Sequence, residues 1–188
     1  MQKMFSLSGL LLLLSLSSPA QLFKSVVGGN NISTAVATIA ENFQTNYRNI
    51  QGDELPPDEG RDVFRSSIPV PGAIHSLIYR FHSREDSTAA FEALLYEGES
   101  FKEASKVYRQ SFKQLKNLKF NGGFGKISLT GDMEEPTESL RFTSSLLRTD
   151  SDTKPYKYFM AQIEMLNSVE GWKVQLNLHS RKDDEERY

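Results

Sequence analysis

The chain has 188 residues, of which 38% are hydrophobic and 24% charged, with a formal net charge of −2. That length is sufficient to bury a core, and a near-neutral balance with basic residues scattered among acids argues against binding driven by nucleic acid or an anionic membrane. The absence of cysteine excludes disulfides, thiolate nucleophiles, thiolate metal sites and lipid-modified cysteine.

The first segment, "MQKMFSLSGLLLLLSLSSPAQ", carries Lys3, then an apolar run from Met4 to Leu16, then small residues at Ser18 and Ala20. This is the layout of a secretory signal peptide over residues 1–20, cut between Ala20 and Gln21. A membrane anchor is the alternative, but the run is about 13 residues where a spanning helix needs about 20. The expected product is periplasmic or secreted, without a transmembrane segment, and not a lipoprotein. Asn31-Ile32-Ser33 is a glycosylation sequon, relevant only in a eukaryotic secretory pathway.

Residues 21–31 read as a linker, with Gly28, Gly29, Asn30 and Asn31 as breakers. Ile32, Val36, Ile39, Phe43, Tyr47 and Ile50 then step at helical spacing, predicting a helix from about Ser33 to Ile50 that lays one apolar face on a core. Gly52 ends it, and "GDELPPDEG" reads as an exposed loop.

From Arg61 the period changes to two. Val63–Ile68 and Ala73–Phe81 are expected to pair as antiparallel strands across the Pro69–Gly72 turn. On the second, Leu77, Tyr79 and Phe81 form the apolar face, while Ile74, Ser76, Ile78 and Arg80 form the mixed one. Residues 87–97 favour helix by propensity, yet Ser100-Phe-Lys-Glu103 is a capping box that starts a helix at Ser100. The reading adopted is a strand, Ala90–Tyr96, followed by a helix from Phe101 to about Leu118.

"FNGGFGK" (120–126) is rich enough in glycine to suggest a phosphate loop. A phosphate loop, however, leads from strand to helix and follows its lysine with Ser or Thr. Here Ile127 follows Lys126, and the segment reads as a helix C-cap at Asn121-Gly122 turning into a strand. Four strand-like runs complete the chain: "GKISLTGD", "ESLRFTSSLLR", "YKYFMAQIEML" and "GWKVQLNLHS". In the last, Trp172, Val174, Leu176 and Leu178 alternate with Lys173, Gln175, Asn177 and His179, the pattern of a strand with one packed and one wet face.

The fold class expected is α+β. Antiparallel sheet covered by two main helices would make a domain over 32–181, built as two α-plus-three/four-strand halves (32–98 and 99–181), with a charged tail at 182–188. The alternative is a single curved sheet with helices on its concave side. In that form the order of elements over about 100–180 and the closing strand with Gly171-Trp172 resemble the NTF2-like cone fold. The resemblance implies small-molecule or protein binding in the cone, and only sometimes catalysis; no active-site residue carries over.

Catalytic and metal chemistry find little support in the residues. Of three histidines, His75 and His82 are expected on opposite strand faces, and His179 on a wet face. Asp150-Ser-Asp152 lacks the remaining ligands of a calcium loop, and no Gly-x-Ser-x-Gly elbow is present. Most acidic residues fall in charged loops and the tail. No cofactor is expected. Tyr156 and Tyr158, beside Lys154 and Lys157, are the candidate ligand or partner contacts; the alternative places them under a covered sheet face. The functional expectation is a non-catalytic binding protein acting on a small molecule, polymer or protein partner. Two alternatives stand beside it: a small enzyme whose carboxylate or histidine site assembles only in the fold, and a structural envelope protein.

Overall fold

The computed structural model describes residues 31–81, 89–123, 125–152 and 156–180. The expected signal peptide with its Ala20/Gln21 cut, His82, Lys154 and the charged tail lie outside the described residues. The described chain forms two α-helices, α1 (Ser33–Glu41) and α2 (Phe101–Leu115), and strands β1 (Gln51–Asp58), β2 (Arg61–Ser66), β3 (His75–Phe81), β4 (Ala89–Gly98), β5 (Lys119–Asn121), β6 (Lys126–Thr130), β7 (Phe142–Thr149), β8 (Phe159–Ser168) and β9 (Gly171–Ser180). All nine strands join one antiparallel sheet in the order β1-β2-β3-β4-β9-β8-β7-β6-β5. The chain is therefore α+β, with the strands after α1 on one side of the β4–β9 seam and those after α2 on the other.

One cross-strand row shows why the sheet forms. Phe64, Ile78, Phe91, Leu178, Ala161 and Leu147 are successive partners across six strands, and every one is buried in the core. A side-chain period of two puts their neighbours in sequence on the opposite face. There the row reads Arg65, Leu77, Glu92, Asn177, Gln162 and Leu146. One step along each strand separates a dry row from a wet one.

α2 packs against β4, β8 and β9. It begins at Ser100, whose Oγ accepts a hydrogen bond from the Glu103 amide at 3.3 Å, the N-cap expected from the sequence. The phenyl ring of Phe101 meets Trp172 edge-on at 5.2 Å, and the Tyr108 hydroxyl lies 2.6 Å from Ser145 Oγ. The strand at 90–96, extended to 89–98, and the helix after it match expectation.

The expected helix over 33–50 is broken. It is regular only to Glu41, and short 3-10 turns at 43–45 and 48–50 continue it. Asn46 and Tyr47 both adopt left-handed backbone, φ 50° and 58°, a conformation disfavoured for non-glycine residues. The compensation is visible: the buried Tyr47 hydroxyl donates to Leu178 O at 3.0 Å, and all six stripe residues are buried. The apolar spacing thus identified the core face, while the tertiary anchor set the backbone.

Two other expectations are corrected, and the packed face of β3 becomes visible. "GDELPPD" is not a loop but most of β1, an exposed edge strand with irregular register, the place where a sheet tolerates proline. The buried face of β3 carries Ser76 and Ile78, while Leu77 and Tyr79 are half-buried and Phe81 is exposed. Polar groups on the buried side are matched: Ser76 Oγ accepts from Val70 N at 3.0 Å, and Arg80 donates to Gln51 Oε1 and Asn46 O. Finally, α2 ends at Leu115, and the left-handed residue after it is Asn117, φ 66°. "FNGGFGK" instead makes the β5–β6 hairpin, with Phe120 paired to Ile127 and Gly122 N donating to Gly125 O at 2.8 Å.

Candidate functional site

On the wet face of the sheet polar and aromatic side chains converge, with Val63 and Met160 buried among them. Beside the Leu77–Glu92–Asn177–Gln162 row runs a second row on the same face: Val63 opposite Tyr79, Tyr79 opposite Ala90, and, beyond the Phe91–Leu178 pair, His179 opposite Met160. Ala90 is small between two large neighbours, and the sheet is hollow above it. The hollow is a cleft of about 350 Å³ lined by residues including Arg61, Tyr79, Phe81, Glu92, Asn177 and His179. Its volume is at the small end of the range for ligand sites.

The walls differ in how well their polar groups are matched. The Arg61 guanidinium stands 4.8 Å from the Tyr79 ring centre, a cation–π contact, and its Nη2 is held by Asp58 at 2.6 Å and Glu59 at 3.5 Å. Tyr79 Oη points to Glu92 Oε1 at 3.5 Å. Burial, reinforced by the Glu92 charge, pushes the Tyr79 phenol up to about 12, so it stays a neutral donor at physiological pH.

Glu92 and Glu164 both stand on this face, and their surroundings contrast. Glu164 accepts from Gln162 Nε2 at 2.8 Å and from Asn177 Nδ2 at 2.9 Å. Burial raises its pKa despite the Asn177 bond, and the Glu92 charge adds to the rise. Glu92 has only two contacts among the described residues, Tyr79 Oη and His75 Nε2, both at 3.5 Å and both on Oε1. Those distances are at the limit of a hydrogen bond. The carboxylate that lines the cleft is the one left loosely matched.

Gln162 links the rest, donating to Ser144 Oγ at 2.8 Å and lying 3.1 Å from His179 Nε2 through its Oε1. These bonds hold Gln162 and Glu164 in the sheet surface. No nucleophile–base pair forms among them, and no group of three or more histidine or acidic residues with metal-binding geometry exists among the described residues.

Tyr156 and Tyr158 lie elsewhere, on a 3-10 turn before β8 and not on the strand itself. Tyr156 is buried, 1% exposed, packed edge-on against Phe120 at 5.3 Å and Phe159 at 5.9 Å. Its hydroxyl donates to Ala40 O at 3.2 Å and Glu41 O at 3.3 Å, closing α1 onto this cluster. Tyr158 is half-buried, with Lys157 Nζ 5.0 Å from its ring centre. The Asp150 carboxylate serves as a turn ligand, accepting from Ser128 N at 2.8 Å.

None of the cleft residues was singled out by the sequence as a site except His179, placed there only as a wet-face residue. The available signal was the alternation of β9, which sets Asn177 and His179 on the unburied face; the cross-strand register that brings Tyr79 and Glu92 beside them is not written locally. No helix among the described residues is long and apolar enough to cross a membrane. Comparison with protein-family models, curated proteins and solved structures finds no match.

Proposed function

We propose that the protein is a non-catalytic binding protein acting outside the cytoplasm after removal of residues 1–20, and that it takes a small molecule in the wet-face cleft. In this reading α1 and α2 back the dry face of the sheet, leaving the opposite face for ligand. The observation that carries it is the hollow over Ala90, where a loosely matched carboxylate, an amide and two aromatic rings meet. A cleft with a few convergent polar groups in an otherwise apolar setting is the usual form of a ligand site. Binding is favoured over catalysis because Glu164, the carboxylate with a raised pKa, is tied down by two amides instead of being poised beside a nucleophile. The test is a fragment screen followed by amide chemical shifts. Hits are expected to move the amides of Tyr79, Ala90, Glu92, Asn177 and His179. Hits that cluster instead around the exposed Leu140 and Phe142 would contradict the assignment and favour a protein-contact surface.

A further inference from the structure

We infer that the cleft takes a single flat ring bearing an N–H donor at its edge, such as an aromatic amidine or amino-heterocycle; this rests on the cleft being the binding site. The slot is set by strand spacing. Tyr79 is on β3, Ala90 on β4 and His179 on β9, three adjacent strands, so the two rings rise from backbones about 9.5 Å apart, twice the strand separation. A ring stacked at about 3.5 Å from each wall requires about 7 Å, so one layer fits and two do not. Ala90 forms the floor because its methyl group leaves the space open. Arg61, on β2, lines the same cleft with its guanidinium 4.8 Å from the Tyr79 ring centre, and its charge is already paired with Asp58 and Glu59.

The donor requirement comes from Glu92. It stands two residues along β4 from Ala90, about 7 Å, and closes one end of the slot. Its side chain is 22% exposed, and Oε2 has no contact among the described residues. An N–H group placed there would form a charge-assisted bond in a partly desolvated setting, stronger than the 3.5 Å contacts that Glu92 has now. An anion is disfavoured by the same groups: the guanidinium of Arg61 is already held by Asp58 and Glu59, and Glu92 would repel a carboxylate or phosphate. Asn177, opposite Glu92, adds an amide at the same end.

The test uses the mature protein, isotopically labelled and titrated with benzamidine and, separately, with benzoate. Benzamidine is expected to shift the Ala90, Glu92 and His179 amides along a saturating curve, and benzoate to leave them in place. Glu92→Gln is expected to weaken benzamidine at least five-fold, while Glu164→Gln, on the same face but already satisfied, changes it less than two-fold. Benzoate matching benzamidine at these amides, or equal weakening by the two substitutions, overturns the ligand class while leaving the cleft as a binding site. Benzamidine silent at these amides also overturns the class, and the fragment screen then decides separately whether the cleft binds anything.

Discussion

Ala90 faces Tyr79 across the β3–β4 pair, and that single small residue opens the wet face of the sheet. A larger side chain there would close the cleft without entering the core. Ala90→Leu is expected to change the unfolding free energy by no more than about 1 kcal/mol in urea denaturation, as at other partly exposed positions. A loss of several kcal/mol would show that the hollow is part of the packed interior.

Tyr156 is expected to behave as a core residue. Tyr156→Ser removes a buried ring and should cost about 3–5 kcal/mol, while Tyr156→Phe, which keeps the ring and deletes the hydroxyl's bonds, those to Ala40 O and Glu41 O among them, should cost about 1 kcal/mol. Tyr158→Ser, at a half-buried position, should remain below about 1 kcal/mol. Equal, small effects of the two serine substitutions would contradict the aromatic cluster around Tyr156.

Gly171 is required by the β8–β9 turn. Its φ is +108°, and an added Cβ would lie 2.7 Å from Gly98 O, so both backbone and contact penalise any side chain. Gly171→Ala is expected to destabilise by about 1–3 kcal/mol. The Gly-Trp pair that suggested a cone-like closing strand therefore has a local cause: the glycine allows the turn and Trp172 packs beneath Phe101.

Glu164 gives the protein a pH signature. Its folded-state pKa is raised, first by burial, so the folded state holds this proton more tightly than the unfolded chain. Its contribution to stability is fully present below the ordinary glutamate range and falls as pH rises through that range to the raised value. As pH rises from the ordinary glutamate range upward, Glu164→Gln should remove this group's negative contribution to the slope of unfolding free energy with pH. A steeper decline in the variant would reverse the sign of the burial effect.

How much of this was legible depended on whether the cause was local. The stripe from Ile32 to Ile50 identified its buried residues, because apolar spacing reports burial even where Asn46 and Tyr47 break the helix. Ser100 and Glu103 marked the start of α2, since a cap is a short-range bond. Which face of β3 is packed was not legible, because Leu77, Tyr79 and Phe81 are more apolar than Ser76 and Arg80, whose polar atoms are matched by Val70, Gln51 and Asn46 only in the fold. That same ambiguity hid the cleft, for Tyr79 and Phe81 are its wall and not core.

The most direct test of the central claim is amide chemical-shift mapping of wild type and Ala90→Leu with a small-molecule extract of the extracytoplasmic compartment. Shifts centred on Ala90, Glu92, Asn177 and His179 in wild type, and absent in the variant, are the predicted result. Shifts that persist in Ala90→Leu, or that centre on another part of the molecule, would contradict the cleft as the site of function.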